Sequence, residues 1–210
     1  MKKSIFIFLF FSILPKTIEA QKNEAGIHLS PLSLVDFYNG SHLKSGLYFK
    51  FDRFVFMSDF GAYSEQLTSK ITLFESMNGI QTKQSFNWTL DRNGSFFLGV
   101  HWLYKEQQFK LNDITNEDIH YQTLIRKTIQ TYNLHLGYRA FFGTNSQYSE
   151  HFGLWLEIGL GARHQTIQNT LNELTQDSKE WYDSMHLSSI STGKRWIPNA
   201  DCSIRLFWRW

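Results

Sequence analysis

The stretch that decides the fold runs from residue 204 to residue 210 and reads Ile-Arg-Leu-Phe-Trp-Arg-Trp. In a β-strand, successive side chains point to opposite faces of the sheet. The alternation therefore predicts a strand that carries four apolar residues on one face, namely Ile204, Leu206, Trp208 and Trp210. The other face carries Arg205 and Arg209, with Phe207 between them. A strand that is apolar outside and cationic inside suits the wall of a transmembrane barrel.

The same alternation recurs along the chain. It is clearest between Ser95 and Lys105, where one face holds only apolar or aromatic residues: Phe96, Leu98, Val100, Trp102 and Tyr104. The opposite face includes Gly99 and His101. The segments that end at Phe142 and begin at Phe152 repeat the pattern, with small or polar residues on the second face. A narrow barrel requires such residues on its inner face.

Turn signals divide the chain into eight strand segments. Asp91-Arg92-Asn93-Gly94 predicts a hairpin, and Asp52-Arg53 predicts a sharper reversal. Short turns of this kind alternate with longer polar stretches, as in an up-and-down outer-membrane barrel with both termini on the periplasmic side. The predicted segments are 27–31, 42–51, 53–64, 81–91, 95–110, 119–142, 148–170 and 190–210. We therefore expect an all-β, single antiparallel up-and-down transmembrane barrel of eight strands.

The first twenty residues have the pattern of a secretory signal peptide. Lys2 and Lys3 precede an apolar run from Ile5 to Leu14, and Ile18-Glu19-Ala20 offers a cleavage site. The run is about half of the ~20 residues that a spanning helix needs. We expect residues 1–20 to be removed and residues 21–210 to form one barrel domain.

Charge and composition exclude some functions. Residues 1–20 hold three lysines and one glutamate, so residues 21–210 hold 18 basic and 18 acidic residues, and nothing indicates nucleic-acid binding. Mean hydropathy is −0.34 although the chain has 19 Phe, 9 Tyr and 7 Trp. Barrels reconcile these values, because only alternate residues face lipid. The alternative fold is a soluble lipocalin-like barrel or a periplasmic sandwich, with the apolar faces pointing inward.

The chain resembles known outer-membrane barrels in two respects. The ending 204–210 is similar to the C-terminal signal by which such barrels of Gram-negative bacteria are recognised for assembly, with Trp210 in place of the usual Phe. The pattern of residues 21–210 resembles small eight-stranded barrels of the OmpA-transmembrane and OmpX kind, and outer-membrane barrel families without an assigned function. The resemblance implies an outer-membrane location and contacts with membrane lipid, lipopolysaccharide and the barrel-assembly machinery. It also implies a structural or surface-binding role through extracellular loops, without a cofactor; the sequence names no extracellular ligand.

An eight-stranded barrel is too narrow for an open pore, so inward charges must pair with one another. Glu157 is the predicted hub, with Arg139 and Arg163 beside it and Arg205 closing the ring. We interpret this network as a polar plug, and a narrow channel is the alternative. The predicted inward charges and histidines are Lys44, Lys50, Asp59, Asp91, His101, Lys105, His135, Arg139, Glu157, Arg163, Asp201, Arg205 and Arg209.

His186-Leu187-Ser188 is the best candidate for catalysis. His186 and Ser188 would share a strand face, where the imidazole could deprotonate the hydroxyl. The pair resembles the His-x-Ser element of outer-membrane lipid A deacylases, which implies a hydrolase as an alternative function. Ser189 stands where that family has asparagine, and Asp201 lies on the face opposite to the expected acid near Ala200. No residue spacing in the sequence indicates a metal site.

Overall fold

The computed structural model describes residues 23–31, 42–63, 75–91, 95–112, 122–142, 151–169 and 193–210. These residues form eight strands, whose lengths range from 6 to 20 residues. The strands are β1 (Glu24–Leu29), β2 (His42–Phe51), β3 (Phe54–Tyr63), β4 (Glu75–Thr89), β5 (Phe96–Asn112), β6 (Gln122–Phe141), β7 (Phe152–Asn169) and β8 (Gly193–Arg209). No helix within the described ranges is long and apolar enough to cross a membrane.

Each strand pairs antiparallel with the next, and β1 pairs with β8 to close the barrel. The prediction of a single eight-stranded, antiparallel, up-and-down barrel is thus confirmed. Because the number of strands is even, β1 begins and β8 ends at the same end of the barrel. That end also holds the two-residue turn Asp52-Arg53, and we call it the turn end and the opposite one the far end. Asp52 has a φ of 52°, a left-handed conformation that aspartate tolerates in turns.

The strands are strongly inclined to the barrel axis. A row of directly paired residues starts at Leu29 on β1, passes round the barrel and reaches Trp196 on β8. Leu29 itself pairs with Leu206, ten residues further along β8. A stagger of ten residues around eight strands corresponds to a tilt of about 40°, given ~3.3 Å per residue and ~4.8 Å between strands. The same stagger decides which inward side chains meet.

The apolar faces of the strands point outward. Val100, Ile158 and Leu160 are 54%, 64% and 72% exposed. The alternative fold, with these faces turned inward, is therefore wrong. Aromatic residues concentrate near the turn end of this outer surface, at Phe51, Phe54, Trp88, Phe96, Tyr138, Phe152, Trp208 and Trp210.

Polar residues replace the apolar ones on the far parts of the long strands. Beyond Trp102, Tyr104 and Tyr132, the outward residues of β5, β6, β7 and β8 include Glu106, Gln108, Arg126, Thr128, Gln130, Thr166, Gln168 and Lys194. The outer surface therefore divides into an apolar band near the turn end and a polar extension at the far end.

β4 begins six residues before its predicted start at residue 81. The residues from Glu75 to Ile80 precede the predicted segment and pair with β5, with a register irregularity between Glu75 and Asn78. The long β5 offers backbone partners along its whole length, and hydrogen bonding across the pair outweighs the polar composition. β1 likewise begins at Glu24, three residues before its prediction.

Candidate functional site: the barrel lumen

A buried ion-pair network crosses the lumen at mid-height. Arg205 on β8 donates from Nη2 to Asp59 Oδ2 at 3.1 Å and contacts Glu157 Oε1 through Nη1 at 2.5 Å. Lys44 Nζ lies 3.3 Å from Asp59, and Lys83 Nζ donates to Glu157 Oε2 at 3.1 Å. All five side chains are buried. We call them the charge network; each of its carboxylates is held by two cations on other strands.

Histidine, serine and asparagine side chains extend this network. His28 Nε2 contacts Asp59 Oδ1, whereas Lys44 and Arg205 bind Oδ2. Ser203 donates to Glu157 Oε2. His101 and His135 face each other through their Nδ1 atoms at 3.1 Å. One of the two must therefore carry the Nδ1 proton while the other accepts it. Asn87 Oδ1 accepts from His135 Nε2 at 2.5 Å.

Four aromatic rings fill the lumen between the charge network and the turn end. We call Tyr48, Phe97, Trp155 and Phe207 the aromatic plug. Each is at most 1% exposed. Their centroids lie 5.3–5.8 Å apart, mostly in edge-to-face contacts that aromatic pairs favour. Val55 and Met57 complete the cluster.

Glycines make room for three of these rings. Tyr48, Phe97 and Phe207 each sit directly across from a glycine on the next strand, at Gly26, Gly137 and Gly153. A Cβ atom on any of these glycines would overlap the facing ring. At these three inward glycines, an aromatic ring folds over the neighbouring backbone.

A second ionic cluster lies below the plug, at the turn end. Glu24 accepts from the Tyr48 hydroxyl at 2.7 Å, from Arg139 Nη1 at 2.7 Å and from Arg209 Nη1 at 3.2 Å. The Arg139 guanidinium also lies 5.0 Å from the ring centroid of Phe141 and 5.5 Å from that of Trp155. The plug is therefore bounded by ion pairs on both sides.

A cavity of about 400 Å³ opens on the other side of the charge network, toward the far end. Cationic side chains contribute to its lining at Lys44, Lys83, Lys105 and Arg163, and the carboxylate there is Asp201. Asp201 accepts from Asn133 at 2.9 Å and lies 3.3 Å from His101 Nε2. The lumen thus has four layers from turn end to far end: an ionic cluster, the plug, the charge network and a cationic cavity.

Comparison with known proteins does not identify a family for this chain. No family model, curated protein or solved structure matches the chain.

The structure brings only part of the predicted network together. Arg205 and Glu157 form an ion pair, but Arg139 binds Glu24 instead of Glu157. Trp155 occupies the position across from Arg139 and separates it from Glu157. Arg163 lies six residues beyond Glu157 on β7, about 20 Å along the strand, which is too far for contact. The prediction that Arg139 and Arg163 flank Glu157 is therefore wrong.

Arg209 lies at the turn end of the lumen, away from the charge network. It pairs with Glu24 at 3.2 Å. The Asp91 carboxylate accepts from the Phe96 backbone amide at 2.8 Å. The proposed assembly residues Ile204, Leu206, Trp208 and Trp210 share the outer face of the last strand segment, and Trp210 is 65% exposed.

Other predictions concern residues that the structure does not describe. His186 and Ser188 lie outside the described ranges, as do residues 1–20. Within the described ranges, no group of three or more His, Cys, Asp and Glu residues is arranged to hold a metal ion.

Two central residues were absent from the sequence prediction. Lys83 falls on the inner face if the alternation of β4 is continued back from Ser85 and Asn87. Glu24 precedes the predicted start of β1. Glu24 lies beyond a predicted strand end and Lys83 lies near one, where both faces of the strand are polar and the alternation is hard to follow.

Proposed function

We propose that the protein is a non-enzymatic outer-membrane β-barrel with a plugged lumen, which acts as a structural or surface-binding protein through its far end. The observation that carries the proposal is the apolar band on a closed barrel. β1 and β8 pair over Gly26–Leu29 and Leu206–Arg209 and close the ring, and a closed ring of paired strands is the arrangement in which β-sheets span lipid. In water the same band would be a large exposed apolar surface, which soluble monomers avoid.

The height of the wall supports a role outside the membrane. Crossing a bilayer takes about 9–11 residues per strand. β5, β6, β7 and β8 have 17, 20, 18 and 17 residues. Their polar extensions would project from the membrane on the side opposite the chain termini. The filled lumen supports a role other than transport, because side chains occupy it at three successive levels.

A pair of substitutions on β6 tests membrane insertion. Leu136 is 52% exposed on the apolar band, and Thr128 has the same outward orientation on the polar extension. If the band contacts lipid, Leu136→Arg should lower the free energy of unfolding by about 2–4 kcal/mol in vesicles, whereas Thr128→Arg should have little effect. On a water-exposed surface both would stay within about 0.5 kcal/mol.

The measurement is urea-dependent unfolding of the full chain refolded into phosphatidylcholine vesicles, with folding scored by a shift in gel mobility between heated and unheated samples. Equal stability of the Leu136→Arg and Thr128→Arg variants would contradict membrane insertion. Fractionation of cells that express the full chain then tests the location, and recovery in the soluble periplasmic fraction would contradict it.

A further inference from the structure

Cationic side chains outnumber acidic ones in the described lumen between the aromatic plug and the far end. Three inward carboxylates lie there, Asp59, Glu157 and Asp201. The seven inward cations are Lys44, Lys83, Lys105, Lys127, Arg163, Arg195 and Arg205. Lys44, Lys83 and Arg205 belong to the charge network. Lys105 and Arg163 line the cavity beyond it, and Lys127 and Arg195 lie further toward the far end.

The register places the remaining cations around one part of the wall. Thr131 on β6 lies directly across from Arg163 on β7, and Gln165 lies across from both Ile129 and Arg195. Lys127 on β6 is therefore a diagonal neighbour of Gln165, and Arg163 precedes Gln165 by two residues on the same face of β7. Lys105 approaches from β5, where Ile129 is its direct partner. Arg163 Nε is buried without a hydrogen-bond partner among the described residues.

The cations in this region affect one another. Burial, followed by the nearby charges of Arg163 and Arg195, lowers the pKa of Lys127 to about 7. Burial and Arg195 also lower the pKa of Arg163. Like charges disfavour one another's charged forms in this way, and a bound anion would reverse the effect. The far half of the lumen is thus electrostatically suited to an anion.

We propose that this cavity binds an oxyanion of the phosphate type, held by Arg163 and Lys105 with the hydroxyl of Thr131. A guanidinium offers a planar pair of donors that matches phosphate, and lysine adds a compact charge. The volume of about 400 Å³ has room for a small phosphorylated molecule. The phosphate group could belong to a free solute or to a lipid headgroup that reaches in from the rim. The inference goes beyond the proposed function.

The test uses the full chain in dodecyl maltoside micelles, which carry no phosphate. Calorimetric titration with inorganic phosphate at constant ionic strength should give saturable binding. Arg163→Gln and Lys105→Gln should each weaken it at least about tenfold, since hydrogen bonds to charged groups are the strong ones. The matched controls are Lys194→Gln and Arg126→Gln, which remove exposed outward cations and should change binding less than about twofold because water and salt screen them.

A second titration uses micelles that contain phosphatidic acid, to distinguish the two sources. Binding of inorganic phosphate that depends on Arg163 supports a free solute, and binding of phosphatidic acid alone with the same dependence supports a lipid headgroup. The proposal is overturned if neither probe binds, or if the control variants lose as much affinity as Arg163→Gln. Heat-dependent gel mobility, measured on every variant, reports folding separately. Loss of phosphate binding in a folded variant therefore bears on the anion site alone and not on the proposal of a membrane barrel.

Discussion

At the scale of single residues, Arg205 holds the lumen together. Its guanidinium contacts both Asp59 and Glu157, and its side chain is 0% exposed. Removing one member of a buried ionic group leaves its partners charged without compensation, which typically costs 3–5 kcal/mol. We expect Arg205→Met to destabilise the barrel by about that amount in a urea titration in vesicles. Arg126→Met removes an exposed outward arginine and should cost less than about 0.5 kcal/mol.

Arg205→Lys separates charge from geometry. Lysine keeps the positive charge but has a single ammonium group, which cannot reproduce a planar contact with two carboxylates on different strands. We expect a stability between those of the wild-type protein and Arg205→Met. A Lys variant as stable as the wild type would show that charge alone matters at this position, and an Arg205→Met variant as stable as Arg126→Met would refute the role of Arg205.

At the scale of the strand pair, the contact between β5 and β6 depends on the absence of a side chain at Gly137. Gly137→Ala would drive a methyl group into the Phe97 ring, and overpacking of this kind costs about 1–3 kcal/mol. Gly61→Ala is the matched control, because its nearest neighbour would be His42 Cδ2 at 3.1 Å, a more tolerant contact. Unfolding in urea should therefore distinguish the two alanine variants clearly.

A double-mutant cycle locates the cause of that loss. Phe97→Leu removes the ring atoms that Gly137→Ala would meet, so the double variant should lose less stability than the sum of the single variants. Rescue should be partial, since the new methyl group would also lie 2.7 Å from the Leu156 carbonyl oxygen. Strict additivity of the two substitutions would show that the ring and the glycine do not interact.

Strand alternation made most of the wall predictable. The segments around residues 42–51, 95–110 and 148–170 contain β2, nearly all of β5 and β7, and their outward residues are the exposed ones. The early start of β4 escaped the prediction, because Asn78 and Gly79 have the composition of a loop. Beyond an apolar band both faces of a strand are polar, so hydropathy no longer distinguishes a strand from a loop there.

At the scale of the whole molecule, the pairing of charges depends on the stagger, which no local pattern reveals. Glu24 meets Arg139 and Arg209, which are 115 and 185 residues away in the chain. A change of two residues in the stagger would move every inward side chain relative to the opposite wall. The sequence therefore predicted which charges point inward, and it could not predict that Arg163 faces the cavity while Lys83 reaches Glu157.

The layered lumen predicts a barrel that stays closed after either of two layers is weakened. The aromatic plug and the charge network block the same path in series, so the remaining layer should still exclude hydrated ions. We expect no conductance in planar bilayers for the wild-type protein, for Trp155→Ala/Phe207→Ala or for Arg205→Met. The triple variant weakens both layers and leaves only the Glu24 cluster at the turn end, so it should conduct more than any of the other three proteins. Heat-dependent gel mobility confirms folding of each variant, and conductance of the folded wild-type protein would contradict a plugged lumen and favour the narrow channel.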